Sequence, residues 1–406
     1  MPTALNLKFN LWYMWNKVRS WFSSGDSNSI INYDFLDQSK KTILIIDDDI
    51  PQHDKSSGSK RLFELIKIFK KMAFNVIFLP NNGRPDEPYY TQLKNLDVEV
   101  LLFNPGRKSM LRKLNKLLSA IDYAWISRPM LNRAFQPIVS KNKKVKIIFD
   151  TVDLHYIRML RQAESEQNEK LKRKALKFKK LELQLAKNAK ATVTVTDTEK
   201  KLLEKELIQN VFVVPNIHEL SIPNHEIPFS ERNGLVFIGG YKHEPNIDAV
   251  KWLINDIMPQ VWNALGKIPV YLLGSYPNEE VLKLANIDVI VPGYIEDVSK
   301  YFLNAKIFIA PLRYGAGMKG KIGQSLEFGL PIVSTTIGAE GMNLIHEKNV
   351  LIADQSKDFA NQIITIYQDE QLWTKIKKNA FQSIVNYTPT AVEKQLENLF
   401  QNLDSK

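Results

Sequence analysis

The chain has 406 residues, of which 44% are hydrophobic and 24% charged, and its formal net charge is +11. This length exceeds what one hydrophobic core usually serves, so two folded domains are expected. The sequence contains no cysteine, which excludes a disulfide framework and a thiolate metal site. The positive charge favours an anionic surface as a partner, either nucleic acid or acidic lipid.

Residues 1–41 are predicted to form an amphipathic helix and a linker. On a helix over Leu5–Phe22, one face would carry Leu11, Trp15, Val18 and Phe22. Tryptophan beside basic residues is typical of a helix lying in a lipid headgroup layer, although the same face also fits packing on its own domain or on a subunit partner. Lysine and arginine interrupt the apolar run, which argues against a signal peptide. We therefore expect a cytoplasmic protein, peripheral at the inner face of the membrane.

Two α/β series follow, in which short apolar runs alternate with helical patterns, as in parallel sheets. The first series, residues 42–222, has predicted strands at Thr42–Ile46, Asn75–Leu79, Val98–Phe103, Tyr123–Ser127, Val145–Phe149, Ala191–Val195 and Val211–Val214. The second, residues 223–388, has them at Leu235–Ile238, Val270–Leu273, Val289–Val291, Ile307–Ala310 and Ile332–Ser334. A last helix is predicted within residues 389–406. Two such units predict a cleft between the carboxyl ends of two sheets.

The segment after strand Ile307–Ala310 is the richest in functional signals. It contains Gly315, Gly317 and Gly320 at a predicted strand-to-helix turn, with Lys319 and Lys321 among them. Glycines let a backbone approach a ligand, and the N-terminus of a helix attracts anions, so the turn predicts a diphosphate site. A flexible turn with solvated lysines is the alternative. The spacing of a Walker loop is absent.

This segment, together with Phe237–Trp252, resembles the donor half of retaining GT-B glycosyltransferases of family 4, the glycosyl transferases group 1. The first series resembles the same family through SSGS at Ser56–Ser59 and DTVDLH at Asp150–His155. The resemblance implies an α/β GT-B fold, in which two Rossmann-like domains with parallel sheets face each other across a cleft. The first domain would bind the acceptor and the second the nucleotide-sugar donor.

The resemblance also implies site residues. Lys321 matches the basic residue that pairs with the donor diphosphate, and His155 sits where the family often has a histidine near the transferred sugar, although it also fits a structural role at a strand end. These two are the predicted catalytic residues. The predicted donor-binding residues are Gly58, Gly239, Gly240, Gly317, Lys319, Lys321, Gln324 and Glu340. Glu340 is expected either to contact the sugar or to cap a turn. The donor is expected to be linked to UDP or GDP, with no further cofactor and no metal.

One departure concerns two glutamates that the family commonly has eight residues apart. This sequence has Ala316 and Gln324 at those positions. A glutamine keeps one carbonyl acceptor for a ribose hydroxyl but loses the charge that strengthens the hydrogen bond. Glu327, one helical turn further, is expected either to compensate or to be a surface residue.

Three consecutive carboxylates, Asp47–Asp49, follow the first strand and raise the alternative of a Mg²⁺ or Mn²⁺ site against a diphosphate. Because the second half already supplies a phosphate site, a strand-end turn is the favoured interpretation.

Two basic clusters mark the first domain. The first is Lys170–Lys190, where nine basic residues accompany Glu182, and an apolar stripe runs through Leu171, Ala175, Phe178 and Leu185. The second comprises Arg107, Lys108, Arg112, Lys113 and Lys116. A solvated surface also explains such charges. With the aromatic N-terminal helix, they favour anionic lipid over nucleic acid, for which no recognition motif is visible.

The leading hypothesis is therefore a retaining transferase. It would move a hexose from a nucleotide diphosphate sugar to a membrane-proximal or lipid-linked glycan, in the synthesis of a surface polysaccharide or glycoconjugate. The rival hypothesis is a non-catalytic, transferase-like subunit that binds a partner enzyme, and Ala316 and Gln324 motivate it.

Overall fold

The computed structural model describes residues 36–219 and 227–405. The amphipathic helix predicted at Leu5–Phe22 lies outside the described residues, as do residues 220–226 beside the predicted domain boundary. Among the described helices, none is both long enough and apolar enough to cross a membrane.

The first domain is built on a seven-stranded parallel sheet with the strand order β3-β2-β1-β4-β5-β6-β7. Its strands are β1 (Thr42–Asp47), β2 (Asn75–Pro80), β3 (Glu99–Val100), β4 (Tyr123–Ser127), β5 (Lys146–Asp150), β6 (Ala191–Thr194) and β7 (Val211–Val213). All six residues of β1 are buried, because this strand lies in the middle of the sheet with helices on both faces. Strand β3 is shorter than predicted because it lies at the edge and pairs with β2 alone.

Seven helices accompany this sheet: α1 (Ser57–Lys71), α2 (Tyr89–Asn95), α3 (Arg107–Leu117), α4 (Pro129–Val139), α5 (His155–Ser165), α6 (Glu169–Asn188) and α7 (Asp197–Lys205). Helix α1 begins at a serine cap, since the Ser56 side chain accepts a hydrogen bond from the backbone N–H of Ser59. Its apolar stripe, which includes Leu65 and Phe69, is buried against the sheet.

The second domain has a six-stranded parallel sheet with the order β10-β9-β8-β11-β12-β13. Its strands are β8 (Leu235–Ile238), β9 (Val270–Leu273), β10 (Val289–Gly293), β11 (Ile307–Ala310), β12 (Ile332–Ser334) and β13 (Leu351–Ile352). Five of these agree closely with the predicted strands. Strand β13 was not predicted, because two residues give no periodic signal.

The second half of the chain adds α8 (Glu244–Trp252), α9 (Met258–Leu265), α10 (Glu279–Leu282), α11 (Ser299–Asn304), α12 (Gly320–Glu327), α13 (Thr336–Ala339), α14 (Ser356–Gln368), α15 (Glu370–Ser383) and α16 (Pro389–Asp404). The single helix predicted at Ile247–Leu265 is a helical run interrupted by a π-helical turn at Leu253–Ile257.

The C-terminal helix α16 returns to the first domain. Leu396, Leu399 and Phe400 belong to the same buried cluster as Phe74 and Tyr123. The ring of Phe400 lies 4.9 Å from that of Phe74 and 4.8 Å from that of Tyr123, measured between centroids. The chain therefore crosses between the domains twice, and the last helix completes the core of the first domain.

The two domains face each other through the loops at the carboxyl ends of their strands, as a GT-B fold requires. The loop after β11 approaches the loops after β5 and β6, because a Cβ built on Gly317 would lie 3.0 Å from the Cβ of Asp153 and 3.4 Å from Val195. Beside the β10 edge, the hydroxyl of Tyr294 donates a hydrogen bond of 2.7 Å to Asp54, in the loop between β1 and α1. The predicted cleft is therefore present.

Candidate functional site

The turn between β11 and α12 forms one wall of the cleft. Gly315 and Gly317 have φ angles of 153° and 69°, conformations that a residue with a side chain adopts only under strain. The hydroxyl of Thr335 donates to the carbonyl oxygen of Leu312 and holds the start of the turn. The predicted strand-to-helix turn is confirmed, and it ends where α12 begins at Gly320.

Two helix N-termini, one from each domain, meet at this point. Ser57 is the first residue of α1 and Gly320 the first of α12. A Cβ built on Gly320 would lie 2.2 Å from the Cβ of Ser57, so a glycine is required for this approach. Gly58 follows within α1. Because the N–H groups at both helix starts point toward the meeting point, the site has positive potential from two directions.

The side chain of Lys321 lies against the turn after β8. Its ammonium donates to the amide oxygen of Asn246 and lies 4.2 Å from the centre of the Phe237 ring. Asn246 in turn donates a hydrogen bond of 2.8 Å to the carbonyl oxygen of Gly240. A Cβ on Gly239 would lie 2.7 Å from Asn246 and 2.8 Å from the lysine nitrogen, so this glycine makes room for the pair.

The electrostatic environment of Lys321 disfavours its charge. Desolvation, followed by the nearby charge of Lys319, lowers the pKa of Lys321 to about 7. Its described hydrogen-bond partner is a neutral amide, which offers no compensating negative charge. An anion bound at this place would therefore favour the ammonium form.

Lys319 has a different environment. Its ammonium donates to the carbonyl oxygen of Gly317 at 2.7 Å and lies 3.4 Å from a carboxylate oxygen of Glu340. Burial lowers the pKa of Lys319, against the opposing charge of Glu340. Lys319 is thus a buried, paired cation within the turn.

Glu340 joins the two domains. Arg161 on α5 donates to both of its carboxylate oxygens, at 2.6 and 2.8 Å, and also to the carbonyl oxygen of Gly315 at 2.7 Å. Burial alone would raise the pKa of Glu340, but the hydrogen bonds from Arg161 and the charge of Lys319 lower it. The glutamate, which was expected to contact a sugar or cap a turn, anchors the turn between β11 and α12 to the first domain. We call this turn the phosphate turn, after its predicted ligand.

His155 lies at the start of α5, on the opposite wall. Its Nε2 atom is 3.1 Å from a carboxylate oxygen of Asp153, whose other oxygen lies 2.9 Å from Arg158. The pKa of Asp153 is lowered by the charge of Arg158 and by His155, although burial opposes this. Because Asp153 also packs against Gly317, the structure brings the histidine loop and the phosphate turn together.

Two buried carboxylates hold the histidine loop. Glu182 on α6 accepts from the backbone N–H groups of His155 and Tyr156 at 3.0 and 2.9 Å, and Glu199 on α7 accepts from Leu154 at 2.9 Å. Burial raises the pKa of Glu182 to about 8 and that of Glu199 to about 7. These hydrogen bonds fix the backbone from which His155 enters the cleft.

Gln324 and Glu327 on α12 have separate environments. Gln324, one turn after Lys321, is partly buried and makes no hydrogen bond to another described residue. Glu327 is buried and lies 2.8 Å both from the Lys60 ammonium and from Nδ1 of His218. It is therefore not a surface residue, and it links α12 to the first domain.

Two of the three aspartates at the end of β1 face Arg128, whereas Asp49 accepts a hydrogen bond from Asn82. Asp47 lies 3.1 Å from Nε of Arg128, and Asp48 lies 3.5 Å from the same atom. Within residues 36–219 and 227–405, no group of three or more acidic or histidine side chains is placed to hold a metal ion. The turn interpretation fits this pairing.

The sequence prediction missed several residues of the cleft: Arg128, Asn246, Arg158 and Arg161. Arg158 and Arg161 follow His155 by three and six residues, so a helix starting at His155 would have placed all three on one side. Arg128 directly follows a buried strand, where functional residues of parallel sheets gather.

The basic helix α6 is exposed along its charged face. Ala175 and Leu185 are buried and Leu171 and Phe178 partly buried, as the apolar stripe predicted, whereas the exposed residues include Lys170, Lys172, Arg173, Lys174, Lys177, Lys180, Lys187 and Lys190. Leu176 is 48% exposed among these cations. This arrangement forms a basic surface on the first domain, and we call it the α6 basic face.

Comparison with known proteins supports a transferase. Residues 232–369, which contain most of the second domain, match the family described as Glycosyl transferases group 1. A protein of Klebsiella pneumoniae described as an uncharacterized 44.6 kDa protein in the cps region is 28% identical over 159 residues, which are 37% of this chain. The match spans 41% of the length of that relative.

Solved structures resemble nearly the whole chain. Sucrose-phosphate synthase from Thermosynechococcus elongatus is 13% identical, with a TM-score of 0.67 over 90% of this chain and 100% of the other. HepE from Anabaena, solved in complex with UDP and glucose, is 14% identical, with a TM-score of 0.65 over 89% of this chain and 100% of the other. The fold is thus α/β GT-B, and the family match within it supports a glycosyltransferase.

Proposed function

We propose that this protein is a retaining glycosyltransferase that moves a hexose from a UDP- or GDP-linked donor to a glycan acceptor close to a membrane. The observation that carries the proposal is the meeting of the α1 and α12 N-termini beside Lys321. N–H groups from two helices and an ammonium with a neutral partner form a site suited to a diphosphate. The HepE structure, which contains UDP, supports a nucleotide as ligand.

Lys321 and the turn amides would stabilise the charge that develops on the departing nucleotide diphosphate. Gly239, Gly240 and Gly317 let the backbone come close to the donor, while Gly58 serves the same purpose on α1. Gln324 is free to receive a ribose hydroxyl. His155, whose Nε2 atom lies 3.1 Å from Asp153, would contact the transferred sugar from the opposite wall.

Carboxylates of the cleft are already engaged. Asp47, Asp153 and Glu340 each lie next to an arginine. Since these carboxylates are paired, we expect a reaction that depends on positioning and on stabilisation of the leaving group. We propose in addition that the configuration at the sugar carbon is retained and that neither a metal nor a further cofactor takes part.

The test is release of UDP or GDP from a panel of nucleotide hexoses, with and without glycan acceptors, before and after addition of EDTA. We expect turnover of at least one donor and no loss of rate with EDTA. NMR of the product would establish whether the configuration is retained. Nucleotide binding without turnover of any donor would favour the rival proposal, a non-catalytic subunit of a partner enzyme, which the pairing of Lys319 with Glu340 and the presence of Gln324 make worth testing.

We also propose that the protein binds the cytoplasmic face of a membrane through the α6 basic face and the aromatic segment at Leu5–Phe22. Each lysine or arginine near an anionic surface contributes about 1 kcal/mol. Replacing Lys172, Arg173 and Lys177 by glutamine should reduce sedimentation with phosphatidylglycerol vesicles. Deletion of residues 1–24 should reduce it further, and vesicles of phosphatidylcholine alone serve as the control. Unchanged sedimentation of both variants would contradict the membrane proposal.

A further inference from the structure

A second chamber lies beside the two chain crossings and apart from the predicted donor residues. It has a volume of about 540 Å³, within the range of about 300–1,000 Å³ that small-molecule sites usually occupy. Its walls come from both domains: Thr196 and Asp197 follow β6, Gly341 follows α13, and Tyr387 and Gln395 belong to the return to the first domain. We call it the hinge cavity.

The hinge cavity is adjacent to the phosphate turn. A Cβ built on Gly341 would lie 2.5 Å from the side chain of Thr196 and 3.3 Å from the Cα of Met318, so these residues form the partition between the two spaces. Val195, which lines the cavity, also lies against Gly317. One layer of residues therefore separates the cavity from the turn that would hold the donor.

The lining offers hydrogen-bond donors and acceptors together. Two helices begin there, since Thr196 caps α7 and Thr388 caps α16, and helix starts present free backbone N–H groups. Asp197 adds a carboxylate and Lys394 an ammonium, while the ring of Tyr387 adds apolar surface. A ligand with many hydroxyls, each able to donate and accept, matches this mixture better than an anion does.

Gln395 is a second reason to favour a ligand with hydroxyl groups over an anion. Its Oε1 atom is buried and accepts no hydrogen bond from any residue that the structure describes. Because Oε1 is shielded from solvent as placed, a ligand in the cavity would reach it after a flip of the amide group, which exchanges the oxygen and the nitrogen. A buried acceptor without a donor is unfavourable, and a hydroxyl can supply that donor, whereas the dianion of a phosphate monoester has no O–H to donate.

We propose that the hinge cavity binds a sugar ring of the glycan acceptor, at a unit away from the one that is glycosylated. That the sugar belongs to an acceptor rests on the proposed transferase function. That the ligand is a carbohydrate rests on the cavity alone. Exposed residues at the rim, Asn386 and Lys394, leave the cavity accessible from solvent. Because the layer around Val195 closes the direct route from the cleft, a glycan would reach the cavity from its solvent-exposed rim.

The experiment measures sugar binding to the full chain saturated with UDP, using glucose, galactose, mannose, N-acetylglucosamine and disaccharides of each in saturation-transfer NMR and calorimetry. We expect at least one sugar to bind. Gln395→Leu should weaken its binding about tenfold, as loss of one hydrogen bond to a neutral group does. Ala391→Phe, which fills the cavity, should weaken it more. Gln401→Leu is the matched control, because Gln401 is exposed on the same helix and does not line the cavity.

Binding of no sugar in the panel would overturn the proposal, as would equal binding by wild type and the Gln395→Leu variant. Competition by inorganic phosphate would also overturn it, because the cavity would then be an anion site. UDP affinity, measured separately, should stay unchanged in all three variants. Sugar binding without turnover of any donor would contradict the transferase function and leave the carbohydrate site standing, so the two failures are distinguishable.

Discussion

The turn at Gly315–Lys321 and the loop at Asp150–His155 both follow a parallel strand, yet they hold their charges differently. In the loop, Asp153 is paired with Arg158 and His155 and is therefore neutralised within its own domain. In the turn, Lys319 is neutralised by Glu340, but Lys321 contacts only an amide oxygen among its described hydrogen-bond partners. The charges of the loop are therefore paired, whereas Lys321 in the turn has no carboxylate among its described hydrogen-bond partners. This difference is why we propose the turn, and not the loop, as the place where a diphosphate would bind.

The largest expected loss of activity comes from a substitution that breaks the contact between the two walls. Gly320→Val should lower turnover about 100-fold, since a Cβ there would lie 2.2 Å from Ser57 and would hold the helix starts apart. Steady-state kinetics measures the effect. Gly106→Ala is the control, because nothing lies within 4 Å of its added methyl group. Equal activity of both variants would mean that the two helix starts need not meet.

The next prediction distinguishes the contributions of Lys319 and Lys321 to nucleotide binding. Lys321→Ala should weaken nucleotide binding by about 1.5–3 kcal/mol, the usual contribution of a hydrogen bond to a charged group. Lys319→Ala should weaken it less, since that ammonium is already paired with Glu340. Calorimetry with UDP compares them, and Lys300→Ala, at an exposed position of the same domain, is the control. A larger loss for Lys319→Ala would reverse their roles.

Affinity for UDP-glucose should depend on pH. Because the pKa of Lys321 is about 7 in the free protein and the bound diphosphate would raise it, binding takes up a proton above pH 7. Affinity should therefore be highest below pH 7 and fall as the pH rises to 9, by at most about tenfold per unit. Lys321→Arg should flatten the profile, since arginine stays charged throughout. A flat profile in the wild type would show that Lys321 does not charge on binding.

The smallest effect concerns Gln324. Gln324→Glu should tighten UDP binding by about 1 kcal/mol, because a carboxylate makes stronger hydrogen bonds to ribose hydroxyls. Gln324→Ala should weaken binding by a similar amount. If calorimetry detected neither change, α12 would not line the ribose site, and the non-catalytic subunit would become the better proposal.

The sequence predicted most strands and the strand-to-helix turn after β11 because their signals are local. Buried central strands such as β1 and β4 are continuous apolar runs, and the glycines and lysines of the turn are neighbours in the chain. Pairings between the domains were not predictable in this way. Glu340 and Arg161 are 179 residues apart, and neither residue carries a local mark of its partner. The packing of α16 on the first domain was likewise not predictable. An amphipathic pattern shows that one face of a helix is buried, but it does not show which part of the protein covers that face.

The return of α16 has a mechanical consequence. Pro215, before the first crossing, and Tyr387, at the second, line the hinge cavity, whereas the Tyr294–Asp54 hydrogen bond joins the β10 edge to the loop after β1. Two chain connections on one side permit the second domain to rotate about a single axis relative to the first. They resist a twist of one domain against the other. Displacement during opening grows with distance from that axis, so the Tyr294–Asp54 contact separates furthest and the hinge cavity changes least. We expect a donor to enter from the Tyr294 side, while the cavity keeps its shape through the cycle.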